Sequence, residues 1–214
     1  MPVICLVRHG QASYATKDDA LTHLGRAQAA AVGGELARRS LRDPYLLSGT
    51  LARQRETARL LADAAGYKQP LHQDRRWNEY DHVALLARYA QPPQDARSVQ
   101  DLLDRALLAW MADPTATGDG GWPSFAERAS AALADLQTAL GKGRDAVVVT
   151  SGGLLAAVCG KLLSLPPEGV VAFNRVTVNA SVTTLVTGSS GTSLLTFNDH
   201  AHFSGDRRGL LTYR

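Results

Sequence analysis

Residues 3–11 read VICLVRHGQ, and residues 146–153 read AVVVTSGG. Each is a short unbroken run of apolar, largely β-branched side chains that stops abruptly at polar residues and glycine. Such a run reads as a strand buried on both faces, the kind that fills a parallel sheet. In an open α/β sheet the chemistry gathers at the carboxyl ends of the strands. The endings RHGQAS and TSGG are therefore the places to look for function.

Working outward from these strands, Thr22 offers an N-cap, and Leu24, Ala27, Ala31 and Leu36 follow at helical spacing up to Arg39. A second short strand is expected at 45–48 and a helix over 51–65, closed by Gly66. A third strand is expected at 71–77. Residues 82–121 are the least regular: QPPQ interrupts them, 99–111 reads as helix, and TATGDGG as a loop. A helix over 124–140 precedes AVVVTSGG, and 154–163 forms an apolar helix after it. Residues 176–186 alternate apolar and polar, GSSG supplies a turn, and 194–197 completes a hairpin. Strands alternating with helices predict a three-layer α/β/α sandwich around a mostly parallel sheet. The 214 residues show no internal repeat and no low-complexity linker, so a single domain over 1–214 is expected.

Composition narrows the class of function. Hydrophobic residues make up 45% and charged residues 20%, which excludes a disordered, collagenous or coiled-coil chain. The 23 Lys and Arg against 20 Asp and Glu give a net charge of +3 without any basic run of five, so neither nucleic acid nor a membrane surface is indicated. An anionic small molecule fits that charge. Cys5 and Cys159 stand in apolar surroundings without metal-ligand spacing and read as buried free thiols in a reducing compartment. Pro2 to Val7 is too short for a signal-peptide core. The longest uncharged stretch, 176–198, has twelve Ser, Thr or Asn among its 23 residues, too polar to cross a bilayer. A cytoplasmic location is expected.

Two constellations carry chemistry. In Arg8-His9-Gly10-Gln11 an imidazole ends a buried strand, where it can act as a nucleophile. The adjacent guanidinium offers a planar fork of donors to a phosphoryl group, and Gly10 removes side-chain bulk where a ligand would approach. In SGTLARQRETARLL, residues 48–61, a helix starts after a strand, so its first amides favour an anion and Arg53 stands in its first turn or so. Arg59, and with it Arg55, reads as a solvated helix charge.

Together these residues resemble the histidine phosphatase superfamily, the phosphoglycerate mutase-like fold. The resemblance rests on LVRHGQA, on LTHLGRAQA at 21–29, on S-x-x-L-x-R-x-x-x-T-A at 48–58 and on the Glu of RRWNEYD at 75–81. It continues in GGWPSFAERASAAL, VVVTSGGLLAAV and NAS…FNDHAHF, and it covers nearly the whole chain apart from about 82–120. It implies that His9 accepts the phosphoryl group and becomes phosphohistidine, that Arg8 and Arg53 clamp the non-bridging oxygens, and that Glu79 protonates the leaving alcohol. Physical reasons support each role. Phosphoryl transfer needs charge stabilisation more than covalent help, so two fixed guanidiniums can do what Mg²⁺ does elsewhere, and a leaving alkoxide needs a proton. By itself Glu79 reads as a surface carboxylate. A helical insertion covering the substrate is expected at about 80–122.

The chain departs from the family pattern at one place. Where the family usually has His-Gly after the later strand, this chain has Ser151-Gly152. With the two apolar strands side by side, their ends stand ~5 Å apart and Ser151 faces the phosphate held by His9. It donates one neutral hydrogen bond without positive charge, a loss of ~1.5–3 kcal/mol of transition-state stabilisation. Gln11, Ser151 and Gly152 complete the expected phosphate-binding set with Arg8 and Arg53. His82 could reach the pocket mouth, His200 and His202 read as structural or rim residues, and His23 as a surface residue; nothing beyond candidacy is read for His72. Trp77, Trp110 and Trp122 are expected to pack the core or cover the insertion, and Leu102, Leu103, Ala106, Leu107 and Trp110 to form a buried or partner-facing stripe. The function expected is a phosphomonoesterase, independent of metal and cofactor, that acts on a small phosphorylated substrate. A phosphoglycerate mutase, or a weakened enzyme that binds a phosphorylated ligand or partner, is the alternative, and a homodimer is possible.

Overall fold

The computed structural model describes residues 1–13, 19–89, 99–116, 118–189 and 191–213. Six strands form one sheet in the order β3-β2-β4-β1-β5-β6. β1 (Val3–Arg8), β2 (Tyr45–Ser48), β3 (Leu71–Gln73) and β4 (Ala146–Thr150) run parallel. β5 (Val182–Gly188) is antiparallel to β1, and β6 (Gly191–Asp199) is antiparallel to β5. The three-layer sandwich with a mostly parallel sheet is the observed architecture.

The alternation of the pleat sorts the two apolar runs between the layers. Ile4, Leu6, Ala146 and Val148 join one core with Leu133 and Leu136 of α5 (Trp122–Leu140) and Leu154 and Leu155 of α6 (Gly152–Leu163). Cys5, Val7, Val147 and Val149 join a second core with Val32 and Leu36 of α1 (His23–Arg38) and Ala58 and Leu61 of α2 (Ala52–Ala65). Both cysteines are buried and free, and burial pushes the Cys5 thiol up to about 11 and the Cys159 thiol up to about 12. Among the described residues no helix is long and apolar enough to cross a membrane.

Thr22 caps α1 as expected, its hydroxyl accepting from Gly25 N at 3.0 Å. Three expectations are corrected. The third strand ends at Gln73, because Asp74 takes Arg76 N at 2.8 Å and turns the chain into a 3-10 turn over Arg75–Trp77. A helix, α3 (His82–Tyr89), opens the irregular region, with Asp81 accepting from Val83 N and Ala84 N at 3.0 Å each. α4 (Val99–Ala112) follows, and its stripe Leu103, Ala106, Leu107 and Trp110 is buried. The segment 176–186 is not one strand. Another helix, α7 (Pro167–Val176), runs into it, and β5 starts only at Val182. The residues between spend their amides on the end of β1, Ala180 N on Arg8 O at 3.1 Å and Asn179 Nδ2 on His9 O at 3.2 Å. The QPPQ break, Thr117 of the TATGDGG loop and Ser190 of the GSSG turn lie outside the described residues.

α1 and α2 pack closely at Gly33, where an added Cβ would stand 2.5 Å from Leu61 O and 2.8 Å from the Ala64 Cβ. At the neighbouring Gly34 nothing lies within 4 Å. The two glycines should therefore respond oppositely to alanine. Gly33→Ala overpacks the helix pair and should lower stability by about 1–3 kcal/mol. Gly34→Ala gains helix propensity and should raise it by about 0.5–1 kcal/mol. Urea denaturation of both variants reads the signs, and a stable Gly33→Ala would show that the two helices are free to part.

Candidate active site

The end of β1 meets the start of α6 because β1 and β4 pair in register, Arg8 opposite Thr150, and His9 N donates to Thr150 O at 2.9 Å. A pocket of about 50 Å³ opens there, lined by Arg8, His9, Arg53, Glu79, Tyr80, His82, Leu103, Gly152 and Asn174. Four of the expected site residues, His9, Arg8, Arg53 and Glu79, thus line one pocket. Gly152 joins them at the first turn of α6, and His82 reaches the pocket as the sequence suggested.

His9 is only 5% exposed. Its Nδ1 lies 2.7 Å from the Gly10 carbonyl, which can only accept, so Nδ1 carries the proton. Nε2 keeps its lone pair and accepts from Arg53 Nε at 3.0 Å. Burial, then the charges of Arg53 and Arg8, hold the imidazole well below its ordinary value of 6.5, so it stays neutral. A neutral ring with a lone pair on Nε2 can act as a nucleophile once Arg53 releases that lone pair. Arg8 Nη1 is anchored by the Thr177 carbonyl and by Tyr213 O at 2.7 Å. Arg53 Nη1 pairs with Asp19.

Glu79 Oε2 accepts from Gly153 N at 2.9 Å and Oε1 from Tyr80 N at 3.2 Å. Burial raises its pKa above 4.5, against the opposing pull of these amides and of Arg53 and Arg8. It fits because a side chain on Gly153 would collide with Glu79 Oε1 and the Tyr80 ring. Glu79 and Tyr80 also line a second, larger cleft of about 560 Å³, which Arg75, Arg88, Arg128, Tyr89, Trp110 and Phe125 help to enclose. The acid stands between the two spaces.

Gln11, Ser151 and Gly10 are placed differently from the expectation, whereas His200, His202 and His23 stand outside the pocket as expected. Gln11 is not among the residues lining the pocket; its Oε1 accepts from Thr22 Oγ1 at 2.8 Å. Ser151 is fully buried, and its Oγ accepts from Gln54 Nε2 at 2.9 Å away from the pocket wall. Gly10 is a glycine for another reason than ligand access: a Cβ there would strike Gly25 O in the first turn of α1. His202 is buried with Nε2 3.0 Å from Ala180 O, His200 Nδ1 lies 2.6 Å from Asn198 O, His72 stacks on Tyr45, and His23 is exposed. None of these four lines the pocket.

The sequence reading missed three residues. Thr57 explains the R-x-x-x-T spacing: its hydroxyl donates to Arg53 O at 2.7 Å and accepts from Gly10 N at 3.0 Å, tying the arginine's helix to the histidine's loop. Gln54, wholly buried, donates to Trp77 O at 3.1 Å as well as to Ser151. Its signal was a polar residue on the buried face of α2. Asn174 breaks the apolar stripe Val170, Val171, Asn174 of α7 and lines the pocket.

Residues 4–200 match the histidine phosphatase superfamily (branch 1). The chain belongs to that family. It is 33% identical over 181 residues, 77% of this chain and 76% of the other, to a glucosyl-3-phosphoglycerate phosphatase of Mycolicibacterium vanbaalenii. A mycobacterial glucosyl-3-phosphoglycerate phosphatase solved with inorganic phosphate superposes with a TM-score of 0.67 at 28% identity, over 95% of this chain and all of that one. The phosphoglycerate mutase of Bacillus anthracis shares the fold, with a TM-score of 0.71 at 21% identity over 94% of each chain.

The neutral imidazole makes a measurable claim. Above pH 6.5 neither folded nor unfolded His9 is charged. As pH falls below that value the unfolded chain takes up a proton that the folded site refuses, so this group's contribution to stability is lost on acidification. The ¹⁵N shifts of the His9 ring should stay those of the Nδ1-H tautomer between pH 8 and pH 6. A titration centred near 6.5 would contradict the burial argument.

Proposed function

We propose that this chain is a phosphomonoester hydrolase that works through a phosphohistidine on His9 and acts on a small phosphorylated metabolite. The observation that carries the reading is His9 Nε2, unprotonated and 3.0 Å from Arg53 Nε in a pocket that Arg8 and Glu79 also line. The phosphatase activity named for the Mycolicibacterium vanbaalenii relative supports the reaction class.

In the first half-reaction the Nε2 lone pair attacks phosphorus and the P–O bond to the alcohol breaks. Glu79 gives its proton to the departing oxygen, which suits a carboxyl whose burial raises its pKa. Arg8 and Arg53 hold the non-bridging oxygens as charge spreads over them, so Arg53 exchanges His9 for phosphate on binding. In the second half-reaction water attacks phosphorus, Glu79 takes its proton, the P–N bond breaks and inorganic phosphate leaves. The alcohol departs on the side where Glu79 and Tyr80 face the larger cleft, and that cleft seats the leaving group. Metal is not required in this scheme, because two guanidiniums supply the positive charge.

Brief incubation with a ³²P-labelled ester should give acid-labile, base-stable protein phosphate that is absent from His9→Ala, and turnover should survive EDTA. Label or turnover persisting in His9→Ala would sink the assignment. Glu79→Gln should slow hydrolysis of an alkyl phosphate by about 10²–10⁴-fold. With p-nitrophenyl phosphate, whose leaving group needs little protonation, the loss should be much smaller. For the wild type with an alkyl ester, the rate should fall as pH rises through the raised Glu79 pKa, because the donor must be protonated.

A further inference from the structure

We propose that Asn174 is a phosphate-binding residue of this site, its side-chain amide donating to a non-bridging oxygen of the phosphoryl group. This rests on the reading of the pocket at His9 as the phosphoryl site. Asn174 lines that pocket, on the side of Gly152, yet comes from α7. It is only 6% exposed, and its Nδ2 finds no acceptor among the described residues. A buried amide donor without an acceptor costs free energy, so native structures rarely keep one unless a ligand or an ordered water uses it.

Its surroundings favour an anionic oxygen. The point where a Cβ on Gly152 would stand is 3.0 Å from Asn174 Oδ1, 3.7 Å from Arg8 Nε and 3.9 Å from Arg8 Cζ. Asn174 and the Arg8 guanidinium therefore flank the same side-chain-free position at the first turn of α6, a helix of 12 residues whose N-terminal amides also favour an anion. The two ends of the asparagine amide exchange by half a turn about χ2, so Nδ2 reaches this position without backbone movement. The helix it sits on otherwise buries Val170 and Val171, so an aliphatic residue would be the ordinary choice at 174 for packing alone. The amide also supplies a donor on the α6 side of the phosphate, where Ser151 is turned to Gln54.

The test compares the wild type with Asn174→Leu, close in size but without the amide, and with Asn174→Asp. Inorganic phosphate affinity is read by isothermal titration calorimetry, kcat/KM with p-nitrophenyl phosphate, and Tm by circular dichroism. Asn174→Leu should weaken phosphate binding by about tenfold to a hundredfold while Tm holds or rises. Asn174→Asp should weaken it further, and more at pH 8 than at pH 5, since a carboxylate repels the ligand. Phosphate affinity in Asn174→Leu within twofold of wild type overturns the inference. So does failure of Asn174→Leu to fold or a large drop in its Tm, either of which marks a structural amide. If wild type itself neither binds phosphate nor turns over, or if His9→Ala remains active, the reading of the pocket fails first, and the role of Asn174 with it.

Discussion

The parallel pairing of β1 with β4 is the constraint on which the site depends. It sets Arg8 opposite Thr150 and lets His9 N close the ladder on Thr150 O. One strand thereby delivers a histidine and the other delivers the glycine start of a helix, a few ångströms apart. The third contributor, the turn carrying Glu79, is tied to the same place by Thr150 Oγ1 and Gln54 Nε2, which both donate to Trp77 O, at 2.7 and 3.1 Å. Slipping either strand by one residue would turn every apolar side chain of that run to the wrong layer, so two separate cores defend the register.

That geometry also suits the proposed chemistry. Two guanidiniums beside a buried imidazole are unfavourable for a charged ring and harmless to a neutral one, so the folded site selects the nucleophilic form. Arg53, held by Asp19 and by His9 Nε2, changes partner in the proposed reaction, whereas Arg8, held by the backbone carbonyls of Thr177 and Tyr213, stands ready before any substrate arrives. Preorganised charge of this kind lowers a barrier without reorganisation at the moment of reaction.

The strands and most helices were legible because burial writes itself as periodicity. VICLV and AVVVT could be little else, and Thr22 and Gly66 punctuate the helices next to them. What escaped had a local cause. α7 starts at Pro167 after a second proline, a pattern that suggests no helix although proline is tolerated in the first turn of one. α3 offers one buried residue, Leu85, too few to show a period. Among site residues, those at strand ends or in spaced motifs were legible: His9, Arg8, Arg53 and Glu79. Gln11 and Ser151 were assigned from sequence neighbourhood, but whether such residues line the pocket depends on which way each side chain turns, and Thr22 and Gln54 claim them. Thr57 stood in a spaced motif without a readable role, and Gln54 and Asn174 carry only the signal of a polar side chain on an apolar face.

Position 151 shows why such residues cannot be read one at a time. Gln54 is fully buried, and its Nε2 divides between Trp77 O and Ser151 Oγ while its Oε1 accepts from Leu51 N at 3.3 Å. A histidine at 151 would place a ring where a hydroxymethyl group is already wholly enclosed, and overpacking of that kind typically costs about 1–3 kcal/mol. It would also take from Gln54 one of its acceptors, or force the amide to turn and abandon Trp77 O, the carbonyl two residues before Glu79. Serine at 151 and glutamine at 54 therefore form a unit. Their hydrogen bond helps to hold the turn that carries Glu79, so introducing a histidine at 151 without resizing residue 54 would disturb the placement of Glu79.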